Sequence, residues 1–187
     1  DLFRPIIDEA ARLCGRPYAG HEVALHIIAD HVRALTFALS EGILPGNEGR
    51  GYVIRRLIRR AAVQGHNLGL REPFLFRLVD PVVSLMLATY PEIGEGRERA
   101  VLALRNEETR FGDTLEAALG RLAELVSGAA HEGRRAVSGE EAFLLYDTYG
   151  LPLELIVEMA VGRGLTVDRE GFERALELQK ERSRSAA

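Results

Sequence analysis

Cysteine occurs once, at Cys14, in a chain of 187 residues. A lone thiol closes no intrachain disulfide, so stability has to come from packing, and a reducing compartment, the cytoplasm, is expected. No apolar run reads as long enough to span a bilayer, and no segment reads as a signal peptide. Strand signal is scarce as well. "RRAV" at 134–137 and "LTV" at 165–167 are too short to support a sheet. There is no repeat of fixed period and no low-complexity tract. Nor is positive charge in excess: the net charge is −4. The chain as a whole is therefore not a basic nucleic-acid binder, and any such role needs a local patch.

What is present is an ordinary globular composition, 47% hydrophobic and 28% charged, which argues against disorder. The length suits one domain or two small ones, with a division expected near 90–137. Almost every periodic segment is helical, so the fold is expected to be an all-α bundle with a long charged helix and negligible sheet. An acidic-starting helix opens the chain, ordered from its first residues without an initiator Met, which suggests a mature or excised piece. Gly15 and Pro17 close that helix. Glu22–Leu39 is the most hydrophobic stretch and reads as a central, largely buried helix. An arginine-rich helix, roughly Arg50–Gln64, stops near Gly65. Pro73 suits the first turn of the next helix, which runs through Leu87. A long charged helix covers about Gly96–Val126, and Gly128–Arg135 is a loop. Ser138-Gly139-Glu140-Glu141 has the spacing of a capping box, and Gly150 with Pro152 ends the helix it opens. Pro152 starts a further helix, and Asp168 caps the last.

"GNEGRGYVIRRLIRR", Gly46–Arg60, is the stretch that raises a chemical question. It lacks the Gly-Lys-Ser/Thr ending of a Walker loop, and its glycine spacing is not that of a dinucleotide-binding turn. Along the helix Val53, Ile54, Leu57, Ile58, Ala61 and Ala62 share one half of the wheel, while Arg55, Arg56, Arg59 and Arg60 share the other. Like charges at this spacing cost roughly 0.2–0.5 kcal/mol per pair. Either the face is solvated or neutralised by acidic helices of the fold, or it meets phosphates. Asn47 before the glycine turn suits a helix cap, and Asp147 in "LYDTYGLP" suits a cap or turn; taken alone, each is more often a cap than a reader of bases. "HEVALH" places His21 and His26 five apart, one residue too many for the zinc-protease H-E-x-x-H. With His31 they read as structural. No Cys/His metal cluster and no G-x-S-x-G motif is present.

Two segments together, "DHVRALTFALSEGILPGNEGRGYVIRRLIRRA" and "FLLYDTYGLPLEL", resemble the alanyl-tRNA synthetase family, in its order and at a plausible separation. The flanks "DLFRPIIDEAARLCGRPY", "REPFLFRLVDPVV", "RNEETRFGDTL" and "GFERALELQKERSR" are similar too, so the resemblance covers essentially the whole chain. It implies the middle, tRNA-recognition part of a longer ligase. In that family a catalytic core uses ATP and magnesium to activate alanine, and an editing domain holds zinc. Neither is matched here, so no cofactor and no catalytic residue is expected in this chain. The resemblance implies contact with the acceptor stem of alanine tRNA, at its G·U wobble pair, through Asn47 and Asp147. Arg50, Arg55, Arg56, Arg59 and Arg60 would hold the backbone, and the other domains of the same protein would be partners, with no membrane. A wobble pair frees the guanine amino group in the wide minor groove, and an ionised Asp is a pure acceptor for it. Gly46 stands where many relatives carry Ser or Asp, which would loosen Asn47. The alternatives are a helical protein-interaction or scaffold module, or a tRNA-binding paralogue that does not charge tRNA.

Overall fold

A computed structural model describes residues 2–185 and divides the chain into two compact units, residues 1–113 and 114–187. Both are helical, and among the described residues the fold is all-α apart from one pair of two-residue strands. The first unit begins with α1 (Arg4–Cys14) and α2 (Glu22–Ser40). Pro5 sits in the first turn of α1, where its missing N–H is not needed. Gly15, at φ +60°, closes the helix in the left-handed region. Ile6, Ile7 and Ala10 give α1 its buried face.

Among the described residues α2 is long and apolar enough, by length and composition only, to cross a bilayer, a test that the core helix of a folded domain also passes. Its apolar side chains are used differently. Leu25, Ile28, Ala29, Val32, Leu35 and Leu39 are buried against α1, α3 (Gly49–Asn67), α4 (Val79–Met86) and α5 (Glu92–Glu95), making it the central helix of this unit.

Two glycine and proline signals act otherwise than expected. α3 does not stop at Gly65 but continues to Asn67. A Cβ on Gly65 would lie 2.2 Å from Cε1 of Phe74, so this glycine makes room for a buried ring instead of ending the helix. Pro73 does not open a helix. A 3-10 turn, Leu75–Leu78, follows and leads directly into α4. The N–H groups of Phe74 and Leu75 donate to the buried carboxylate of Glu108, at 3.0–3.1 Å. Glu108 belongs to α6 (Arg97–His131), which runs through Gly128 and leaves only residues 132–135 as loop. A glycine with open space around it costs a helix about 1 kcal/mol, and the tertiary packing of α6 overrides that.

In the second unit, α7 (Gly139–Tyr149) starts on the capping box read from sequence. The Glu141 N–H donates to Ser138 Oγ, and Ser138 N–H donates back to the Glu141 carboxylate at 2.8 Å. Arg134 pairs with Glu141, and although partial burial opposes it, this pairing and the Ser138 bonds hold the Glu141 carboxyl below its ordinary range. α8 (Leu153–Val161) follows Pro152, and α9 (Arg169–Ser185) follows Asp168, whose Oδ1 accepts from the Gly171 N–H at 2.9 Å. α7 and α9 approach closely because Gly139 and Gly171 face each other; a Cβ on Gly139 would lie 2.2 Å from Gly171 C. Phe143, Tyr146 and Phe172 pack beside that crossing in tilted and edge-to-face contacts. The two stretches judged too short for a sheet find each other. β1 (Ala136–Val137) pairs in parallel with β2 (Thr166–Val167), sharing so few hydrogen bonds that the helices must hold them in place.

Candidate nucleic-acid interface

The glycine-rich turn between α2 and α3 is built for geometry. Gly49 has φ +54°, a conformation that other residues adopt only with strain. Gly51 lies against the backbone of the preceding turn: a Cβ there would meet Leu44 O and Gly46 N at 2.9 Å. The Gly46 N–H donates to Gly51 O at 2.9 Å, folding the turn back onto the first turn of α3. Asn47 is thereby held out at an exposed position. It is not the helix cap. Glu48 occupies that position, and no side chain closes the first amides. The Oδ1 of Asn47 instead accepts from Nη1 of Arg55, nearly two turns into the helix.

The arginine face is half-buried, not freely solvated. Glu107 of α6, only 4% exposed, takes two of the four guanidiniums. Arg59 donates to its Oε1 from Nε at 3.0 Å and from Nη2 at 2.8 Å, and lies over the Phe111 ring. Arg55 Nε sits 3.0 Å from the same oxygen as an ion pair, off the alignment of a hydrogen bond. Arg56 lies over Tyr52, and Arg60 is half-buried alongside. Arg50, by contrast, is exposed, and among the described residues its guanidinium meets no partner. Arg55 and Arg59 thus meet an acid from within the fold, and Arg50 stands open to an outside anion.

In the second unit Asp147 does not cap α8. It lies exposed in the last turn of α7. That turn is closed by Gly150, at φ +71°, and by the Leu151 N–H, which donates to Leu145 O at 3.2 Å. The Thr114 hydroxyl holds the Tyr149 carbonyl at 3.1 Å. The Asp147 carboxylate has no hydrogen-bond or ion-pair partner among the described residues. A carboxylate at the negative end of a helix dipole is mildly unfavourable there, so its presence does not serve the stability of α7.

The histidines have local roles. His21 Nδ1 meets Pro17 O at 3.0 Å, and His26 Nε2 meets the Tyr18 hydroxyl at 2.9 Å. His31 is buried. Among the described residues no group of three or more His, Cys, Asp or Glu is placed to hold a metal ion.

Glu107 and Glu108 were not foreseen, yet a signal existed. Both fall on the apolar stripe of α6 traced by Leu104, Phe111 and Leu115, three or four residues from its members. An acid on a buried stripe requires partners, which marks it as a structural or functional anchor.

The family described as tRNA synthetases class II (A) matches residues 1–187. An alanine–tRNA ligase of Pelotomaculum thermopropionicum is 52% identical over the whole chain, which covers 22% of that protein. Those of Streptococcus pneumoniae and Geobacillus kaustophilus are 46% and 47% identical, with 22% and 21% of their lengths covered. The chain thus spans about a fifth of the length of these curated relatives. Matched from end to end by the family and half identical to its members, the chain belongs to the class II (A) tRNA synthetases.

Proposed function

We propose that this chain is the tRNA-recognising middle part of an alanine–tRNA ligase, and that it reads the G·U wobble pair of the acceptor stem through Asn47 and Asp147. ATP-dependent activation of alanine with magnesium, and zinc-dependent editing, would belong to other parts of the longer protein. Those parts would be the chain's partners within it.

The observation that supports the reading most directly is unspent polar capacity. Asp147 is an exposed carboxylate with no partner among the described residues, and Asn47 has its amide nitrogen uncommitted. Both stand at the positions that the family's motifs pick out. An ionised carboxylate only accepts, which suits the guanine amino group that wobble pairing leaves free. The exposed Arg50 suits a phosphate, contributing register and affinity without reading sequence. Arg55 and Arg59 reach RNA, in this reading, only as part of a face already partly neutralised by Glu107.

The test is a binding titration with two acceptor-stem duplexes that differ only in the third pair, G·U or G·C. Preference for the wobble duplex is expected. Equal affinity at low salt, with the protein folded, would overturn base reading.

A further inference from the structure

We infer that Glu107 is a positioning residue, which through Arg55 fixes the side-chain amide of Asn47 so that its –NH2, and not its carbonyl, faces the RNA. The inference rests on the proposed role of Asn47 and adds what that residue asks of its ligand: an acceptor atom on the base edge.

The relay has three links, all within the first unit. Glu107 is buried on α6, where an ionised carboxylate must be paired. Arg59, packed on Phe111, holds one side of it. Arg55 lies beside the same oxygen, and its side chain is only 22% exposed, so its guanidinium has little freedom. The outer Nη1 of Arg55 then donates to Asn47 Oδ1. A guanidinium has only donors, so the atom of Asn47 that meets it has to be the oxygen. The orientation of the amide follows from that chemistry, without regard to how the two ends of an Asn are told apart. The nitrogen, with two N–H donors and no partner among the described residues, is left outward. Asn47 sits in a turn with glycines at 46, 49 and 51. Backbone alone holds such a side chain loosely, and the Arg55 bond is what selects one rotamer. This also offsets the latitude that Gly46 gives the turn.

Three substitutions separate the claims, each measured in the full-length protein by titration against the G·U and G·C duplexes. Asn47→Asp keeps shape and the Arg55 bond but removes both donors; it should lose wobble preference by ~5-fold or more, the scale of one good polar contact. Retained preference would mean that Asn47 accepts, and overturns the inference. Arg55→Met removes the guanidinium while Arg59 still pairs with Glu107, so no buried charge is orphaned. It should reduce the ratio of the two affinities, whereas a mere phosphate contact would weaken both duplexes alike. Glu107→Gln should reduce the ratio in the same direction; if that variant fails to fold, Arg55→Met decides. The side-chain amide resonances of Asn47 give a readout independent of RNA: they should shift and sharpen in the Arg55 and Glu107 variants as the clamp is lost. Unmoved resonances and an unmoved ratio in folded variants overturn the relay. A wild-type protein that prefers neither duplex sinks the base-reading proposal instead, and the resonances then judge the relay alone.

Discussion

At the scale of single residues, the chain separates side chains that hold the fold from side chains that do not. Gly65 is of the first kind. Its missing Cβ is filled by the Phe74 ring, so Gly65→Ala should destabilise the protein by about 1–3 kcal/mol through overpacking, visible as a lowered thermal midpoint. An unchanged midpoint would mean that Phe74 swings aside at no cost. Asp147 is of the second kind. Asp147→Asn removes an exposed charge from the negative end of α7, so the midpoint should stay level or rise by a few tenths of a kcal/mol. Discrimination against the G·C duplex should fall by ~5-fold or more in the same variant. A change in stability without a change in discrimination would return Asp147 to a structural role.

Among elements, α6 deserves its length because it carries two adjacent buried acids to two different tasks. Glu107 meets α3, and Glu108 closes the amides at the start of the 3-10 turn. Burial pushes the Glu108 carboxyl up to about 7, against the pull of the Phe74 and Leu75 amides. The folded state therefore binds this proton more tightly than the unfolded chain. Stability from this group is full below its ordinary value near 4.5 and is lost as pH rises through about 7. The opposite holds for Asp80, whose carboxyl is drawn down by Arg97 and which loses its contribution only as the medium becomes acid. Comparing chemical denaturation of the wild type and Glu108→Gln from pH 5 to pH 8 should show the wild type losing up to about 3 kcal/mol relative to the variant. A constant difference would mean that Glu108 titrates as an ordinary carboxylate. Elsewhere on α6, Gly120 is exposed with nothing near its missing Cβ, so Gly120→Ala should raise stability by about 0.5–1 kcal/mol. A drop instead would show that something covers this face.

For the molecule as a whole, electrostatics is the property that matters most to an RNA partner. The net charge of −4 repels a polyanion at long range, so RNA binding in the proposed role would depend on a few locally placed cations and be sensitive to salt. The arginines are unequal in this respect. Arg50→Ala should reduce the slope of log affinity against log salt by ~1, because its guanidinium is open to solvent. Arg59→Ala should leave the slope nearly unchanged and cost about 1–3 kcal/mol of stability, because Glu107 loses a charged hydrogen-bond partner. The reverse pattern would place Arg59 at phosphate and Arg50 away from it.

Short-range rules account for what the sequence by itself determines. The box at Ser138 and Glu141, the left-handed glycines 15 and 150 and the cap at Asp168 are each satisfied within a few residues along the chain, so their spelling is enough. The helical class follows from the same local logic. Other features depend on neighbours far away in sequence. Gly65 looks like a stop until Phe74 is known to lie against it, and Pro73 looks like a start until Glu108 is known to hold the amides after it. The strand fragments at 136–137 and 166–167 mean nothing singly, because a strand needs its partner. Arg59 could face water, phosphate or acid on helical spacing alone. It faces Glu107, 48 residues on, because a carboxylate on the buried stripe of α6 has to be neutralised there. Local hydrogen bonding sets the helix ends that are capped within a few residues, while packing and the desolvation of charge set the ends and the pairings that depend on distant neighbours.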